Sequence, residues 1–105
     1  MDEKYTKLDS EHFEPALSEF FEEFITDRKT ELKALNKGIK EEDFKFIEDL
    51  AHKWKGFSAP YGFAGLAQIA GQLELASKEK NIEKTKYLLK EVLDYLEYKI
   101  KNKGF

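Results

Sequence analysis

The chain of 105 residues contains no cysteine. Disulfides, thiolate metal sites and a cysteine nucleophile are therefore excluded, and a reducing compartment is suited. Histidine is scarce, with His12 and His52 the two examples, and no second histidine stands three or four residues from either. A histidine-built metal site is not expected. No apolar run approaches the roughly 18 residues of a membrane span. The opening MDEKYTKLDS is polar and acidic and lacks the apolar core of a signal peptide. Charge of one sign is missing too: 18 Lys and Arg against 21 Asp and Glu leave a formal charge of −3, which offers nothing for nucleic acid to pair with. A cytoplasmic protein with no membrane and no nucleic-acid partner is expected.

Prolines number two and glycines six, so few breaks interrupt the chain, and its apolar residues fall at helical spacing. Hydrophobic residues make up 41% and charged ones 37%, a globular balance rather than a disordered one. The length suits one domain over 1–105, with residues 1–9 expected to fray. Leu17, Phe20, Phe21, Phe24, Ile25, Leu32 and Leu35 form a stripe of period near 3.6. Pro15 suits the first turn of this helix, Ser10 is an alternative cap for an earlier start, and Gly38 is expected to stop it. Glu41, Glu42 and Asp43 favour the positive end of a second helix, which buries Phe44, Ile47, Leu50, Ala51 and Trp54 and ends before Pro60. A loop around Ala59 to Tyr61 leads to a third helix, from about Gly62 to Lys78, burying Phe63, Leu66, Ile69, Ala70 and Leu73. Asn81 can cap a fourth, with Ile82, Leu88, Leu89, Val92, Leu96 and Ile100 facing inward. No segment alternates with period two. Short connections favour an all-α, antiparallel up-down-up-down four-helix bundle, with room for a short extra amino-terminal helical turn. The nine Phe, five Tyr and one Trp fit a core better than a cofactor box.

The segment AHKWKGFSAPYG (51–62) holds His52. With Ile47 at zero on a wheel of 100° per residue, Leu50, Ala51 and Trp54 lie within about 60°, while His52 falls at about 140°, Lys55 at about 80° and Gly56 at about 180°. His52 therefore stands on the flank of the second helix, not in the core stripe. Gly56 either ends that helix or removes a side chain beside the imidazole so that another protein can approach. On the third helix Ala67, Ala70, Gly71 and Glu74 share one stripe, three of the four small. If the second and third helices are antiparallel neighbours, this stripe flanks the histidine and Glu74 can reach its ring. His12, in SEHFEP, lacks the Lys-Gly context and reads as an ordinary surface residue.

These residues resemble the histidine-containing phosphotransfer (HPt) domains of phosphorelays. That pattern reads roughly His-x-apolar-Lys-Gly-x-small, then glycine ten after the histidine, leucine at fourteen, a small residue at eighteen and an apolar–acidic or apolar–amide pair at twenty-one and twenty-two. His52, Trp54, Lys55, Gly56, Ser58, Gly62, Leu66, Ala70, Leu73 and Glu74 fill every position. A lone HxxKG carries little weight; ten positions in register with the expected helices carry much more.

The resemblance implies that His52 accepts a phosphoryl group from a receiver-domain aspartate and passes it to another receiver. It implies that Lys55 neutralises the phosphoryl oxygens, that Gly56 gives the incoming domain room and that Glu74 holds the ring. Around them, Ala59, Ala67, Ala70 and Gly71 are expected to contribute to the partner-binding face. Implied partners are receiver domains of response regulators or of a hybrid histidine kinase, met by a monomer. No cofactor of its own is implied; the magnesium ion belongs to the partner receiver. GFAG (62–65) is not a Gly-rich phosphate loop, so no kinase activity of its own is expected. The alternatives are a binding module on the same fold that does not carry phosphate, and the phosphotransfer segment of a larger hybrid or chemotaxis kinase. The length and the initiating methionine favour a free-standing protein.

Overall fold

The computed structural model describes residues 7–9 and 14–102. These residues are almost wholly helical, with no strand among them. Four long helices follow one another: α1 (Phe21–Lys40), α2 (Phe44–Phe57), α3 (Ala64–Lys78) and α4 (Ile82–Lys101). Short 3-10 turns at Pro15–Phe20 and Ala59–Tyr61 precede α1 and join α2 to α3. α2 packs most closely on α3, α3 on α4, and α1 against both α4 and α2, which closes a helical bundle. Its extents are 37 × 23 × 22 Å.

Pro15 opens a tighter turn than expected. Leu17 N–H donates to Glu14 O at 2.9 Å, an i→i+3 bond of the 3-10 kind, and the α-helix proper begins at Phe21. Phe20 consequently leaves the core stripe and is 39% exposed, and Leu17 is only half-buried. Phe24, Ile25, Leu32 and Leu35 are buried as the spacing predicts. Ser10 and His12 lie outside the described residues, as does 1–6 of the segment expected to fray. Residues 7–9 form a helical turn in which Asp9 is buried.

Gly38 does not stop α1. It is buried inside the helix, and a Cβ there would stand 3.2 Å from the Phe46 ring, so its missing side chain lets the start of α2 lie close. The reversal falls four residues later. Glu42 takes φ 55°, Glu42 N–H donates to Ile39 O, and Asp43 N–H reaches Gly38 O at 2.8 Å. This is a Schellman end built on a glutamate instead of a glycine. Lys80, with φ 55°, closes α3 the same way, with Asn81 N–H on Ala76 O at 2.9 Å.

Asp43 then caps α2, its Oδ1 accepting from Phe46 N–H at 3.2 Å, and Asn81 caps α4 by accepting from Lys84 N–H at 3.1 Å. The core stripes of α2 and α3 are buried largely where the periodicity puts them: Ile47, Ala51, Trp54, Leu66, Ile69, Ala70 and Leu73, with Phe63 just before α3, have no exposed surface, while Leu50 is only half-buried. Most of the stability resides here, since each large apolar side chain so buried contributes about 1.5–3 kcal/mol. Phe63 stacks on Phe24 with ring centroids 4.2 Å apart, joining α1 to the start of α3. On α4, Leu88, Leu89, Val92 and Leu96 face in, but Ile100 in the last turn is 40% exposed. The inward stripe of α4 ends with Lys99, which is buried.

Candidate functional site

His52 lies on the outer flank of α2, two residues before the fully buried Trp54, and its side chain is 67% exposed. One ring nitrogen is nevertheless held. His52 Nδ1 and Glu74 Oε2 are 2.9 Å apart across the α2–α3 seam. The second oxygen of the same carboxylate, Oε1, meets Lys55 Nζ at 2.9 Å. Glu74 thus serves two groups of α2 at once, from a largely covered position on α3.

The charge state of Glu74 decides what this does to the ring. The hydrogen bond from Lys55 holds the Glu74 carboxyl below its ordinary value, and His52 adds to that pull, while burial opposes both. An ionised carboxylate only accepts. Nδ1 must therefore carry the proton in the hydrogen bond, and in the neutral ring the lone pair is left on Nε2.

The stem of Lys55 passes over Gly71 on its way to Glu74. A Cβ on Gly71 would meet Lys55 Cδ at 3.5 Å, ordinary contact distance. The resting position of the ammonium is the Glu74 carboxylate. Gly56 sits inside α2, exposed, with nothing within 4 Å of where a side chain would begin. The sole glycine with positive φ among the described residues is Gly62, at 93°, so the left-handed cap belongs there and Gly56 is left with an open surface around it.

Of the small residues expected on the partner-binding face, Gly56 is exposed, and Ala59, Ala67 and Gly71 are half-buried. Ala70 is fully buried. It stands on the inner edge of its stripe, where small size serves the close packing of α3, and it offers no surface to another protein.

Sequence reasoning missed the support behind the histidine. Trp54 Nε1–H donates to Glu31 Oε1 at 2.8 Å, and the same oxygen accepts from Arg28 Nε at 2.6 Å. The Arg28 guanidinium lies 4.5 Å from the Phe24 ring centroid and 4.8 Å from that of Phe57. This chain of contacts pins the inner face of α2 to α1 and so steadies the helix that carries His52. The Arg28–Glu31 spacing of i, i+3 signals a pair; its use by Trp54 has no sequence signal. Among the described residues no group of three or more His, Asp or Glu is placed to hold a metal ion, and no helix is long and apolar enough to cross a membrane.

The family model of the Hpt domain matches residues 19–99 of the chain. Searches of curated proteins and of solved structures each found no significant match.

Proposed function

The chain belongs to the Hpt domain family, whose members interact with receiver domains in two-component phosphorelays, and from that premise we propose that it is a phosphorelay intermediate that carries phosphate on His52. The observation that carries this reading is the bond between His52 Nδ1 and Glu74 Oε2, which in the neutral ring leaves the lone pair on Nε2 of a side chain that is 67% exposed.

The Nε2 lone pair attacks the phosphorus of a receiver's aspartyl phosphate. The N–P bond forms, the bond from phosphorus to the aspartate oxygen breaks, and the aspartate leaves as a carboxylate. The Nδ1 proton stays on the ring, which becomes cationic, and the Glu74 carboxylate stabilises that charge. Transfer to the next receiver is the same step reversed. Lys55 is half-exposed on a flexible stem and moves from Glu74 Oε1 towards the phosphoryl oxygens as negative charge gathers there. Gly56, with open space around it, admits the incoming domain. The magnesium ion is supplied by the receiver, and this chain adds a nucleophile and a docking face. The short connections and the closed ring of helix contacts support an up-down-up-down antiparallel order, and we take this domain to act as a monomer in the cytoplasm.

Mixing the protein with a phosphorylated receiver tests the proposal. An acid-labile, base-stable phosphate is expected on the wild type and absent from His52→Gln, with helicity by circular dichroism equal in both. No label on the wild type from any receiver of the source organism would leave a binding module that does not carry phosphate; normal labelling of His52→Gln would move the phosphate elsewhere.

A further inference from the structure

The family match begins at residue 19, yet two residues before it contact the junction between α2 and α3, one of them from a buried position. Asp9 is 1% exposed. Its Oδ1 accepts from Gly65 N–H at 2.8 Å, and its Oδ2 accepts from Tyr95 OH at 2.7 Å and from Lys99 Nζ at 2.9 Å. Further along, Glu14 N–H donates to Pro60 O at 2.8 Å, in the turn between α2 and α3.

Two partners of Asp9, Gly65 and Lys99, show what its carboxylate contributes. Gly65 lies in the first turn of α3, where backbone N–H groups have no acceptor within the helix. The residue at the N-cap position is Phe63, whose side chain cannot accept a hydrogen bond, and α3 has no side-chain cap of its own. A carboxylate at that end also opposes the positive pole of the helix. Lys99 is 3% exposed, and a buried ammonium is costly unless paired. Besides Asp9, its Nζ donates to Gly62 O at 2.8 Å and lies 4.9 Å from the Phe63 ring centroid. Asp9 and Lys99 together therefore hold Gly62, Phe63 and Gly65, the residues through which the chain turns into α3.

We propose that Asp9 is a strap: it caps α3 from outside that helix and, through its buried ion pair with Lys99, locks the α2–α3 junction to α4. The folded unit then begins before the stretch on which family membership rests, and it includes a contact that the family match does not supply. α3 is also the helix that carries Glu74, so the strap secures the element on which the ring of His52 leans.

The test uses the full chain with Asp9→Ala, Lys99→Met and the two combined, unfolded in urea, and amide hydrogen exchange on the wild type and the double variant. Removing one partner leaves a buried charge uncompensated, so each single variant is expected to lose about 100-fold or more in its folding equilibrium constant. An apolar replacement of both removes that penalty, so the double variant is expected to lose at least about tenfold less than the product of the single losses. Should Asp9→Ala fail to fold, Asp9→Asn, which keeps an oxygen for Gly65 N–H, takes its place in the cycle. The cap is read separately. Gly65 N–H is expected to be protected in the wild type and to exchange near the open-chain rate in the double variant, while Val92 in the middle of α4 stays protected. Single losses that simply multiply, or a Gly65 amide that exchanges like an open chain in the wild type, would overturn the strap.

Discussion

Glu74 Oε2 lies 2.9 Å from His52 Nδ1, although the two residues are 22 positions apart in the chain. That bond assigns the ring proton, and the proposed nucleophile depends on it. Glu74→Ala is expected to release the ring, mix its tautomers and slow phosphorylation by roughly 10–100-fold, the scale seen when an orienting partner is lost from a histidine. Glu74→Gln should do less to the ring, since its amide oxygen can still accept from Nδ1–H, but its NH2 group repels the Lys55 ammonium. Nitrogen chemical shifts of the imidazole, read beside labelling rates, check both. Equal tautomer mixing in the two variants would mean that Glu74 acts by charge and not by holding the ring.

Lys55 is the first cause of the lowered Glu74 value, and this sets the direction of a pH effect. A carboxyl whose folded value lies below its unfolded one, here 4.5 in the absence of neighbours, stabilises the fold at pH above that unfolded value. The contribution is lost as pH falls through the folded value. Lys55→Ala should therefore move the Glu74 titration upward, towards the ordinary carboxyl range, and narrow that acid window. Carboxyl carbon shifts followed from pH 7 downward would show it; an unmoved titration would detach Lys55 from Glu74. In transfer assays the same variant should lose more in maximal rate than in receiver affinity, because the ammonium matters most in the transition state.

Glu31 accepts the indole N–H of Trp54, and Trp54 has no exposed surface. Glu31→Ala would strand that donor in the core. A loss of about 1–3 kcal/mol in folding stability is expected, measurable by urea unfolding. A loss within about 0.5 kcal/mol, as for ordinary surface changes, would show that water replaces the carboxylate.

The frame of this bundle is legible in the sequence because period and caps are local properties. The core stripes of α2 and α3, Asn81 as a cap and the flank position of His52 all follow from spacing. The ring contact with Glu74 is legible only conditionally, since it requires α2 beside α3. Three things are not legible. Helix ends made by Glu42 and Lys80 at φ 55° break the preference for glycine on which such reasoning leans, so Gly38 draws the eye while serving a close contact. The shared oxygen of Glu31 needs α1 and α2 already in place. Asp9 reads as one more charge in a polar terminus, because its partners Gly65, Tyr95 and Lys99 are brought to it only by the finished bundle.

Two glycines separate the two meanings that a glycine can have here. Gly62 adopts φ 93°, a conformation that a Cβ strains, so Gly62→Ala is expected to destabilise the fold by about 1 kcal/mol or more. Gly56 lies within α2 with nothing within 4 Å of an added Cβ. Gly56→Ala should leave the fold intact or stabilise it by up to about 1 kcal/mol, the difference in helix propensity, and cost little transfer. Gly56→Gln should also fold, since glutamine suits a helix, but its side chain stands where a receiver must approach. Receiver-mediated labelling of His52 should then fall while labelling by a small donor such as phosphoramidate persists, which separates docking from nucleophilicity. Thermal melts of the three variants beside the two labelling assays decide the matter. If Gly56→Ala melts well below wild type, the glycine is structural after all; if Gly56→Gln accepts phosphate from receivers as fast as wild type, no partner passes over this part of α2.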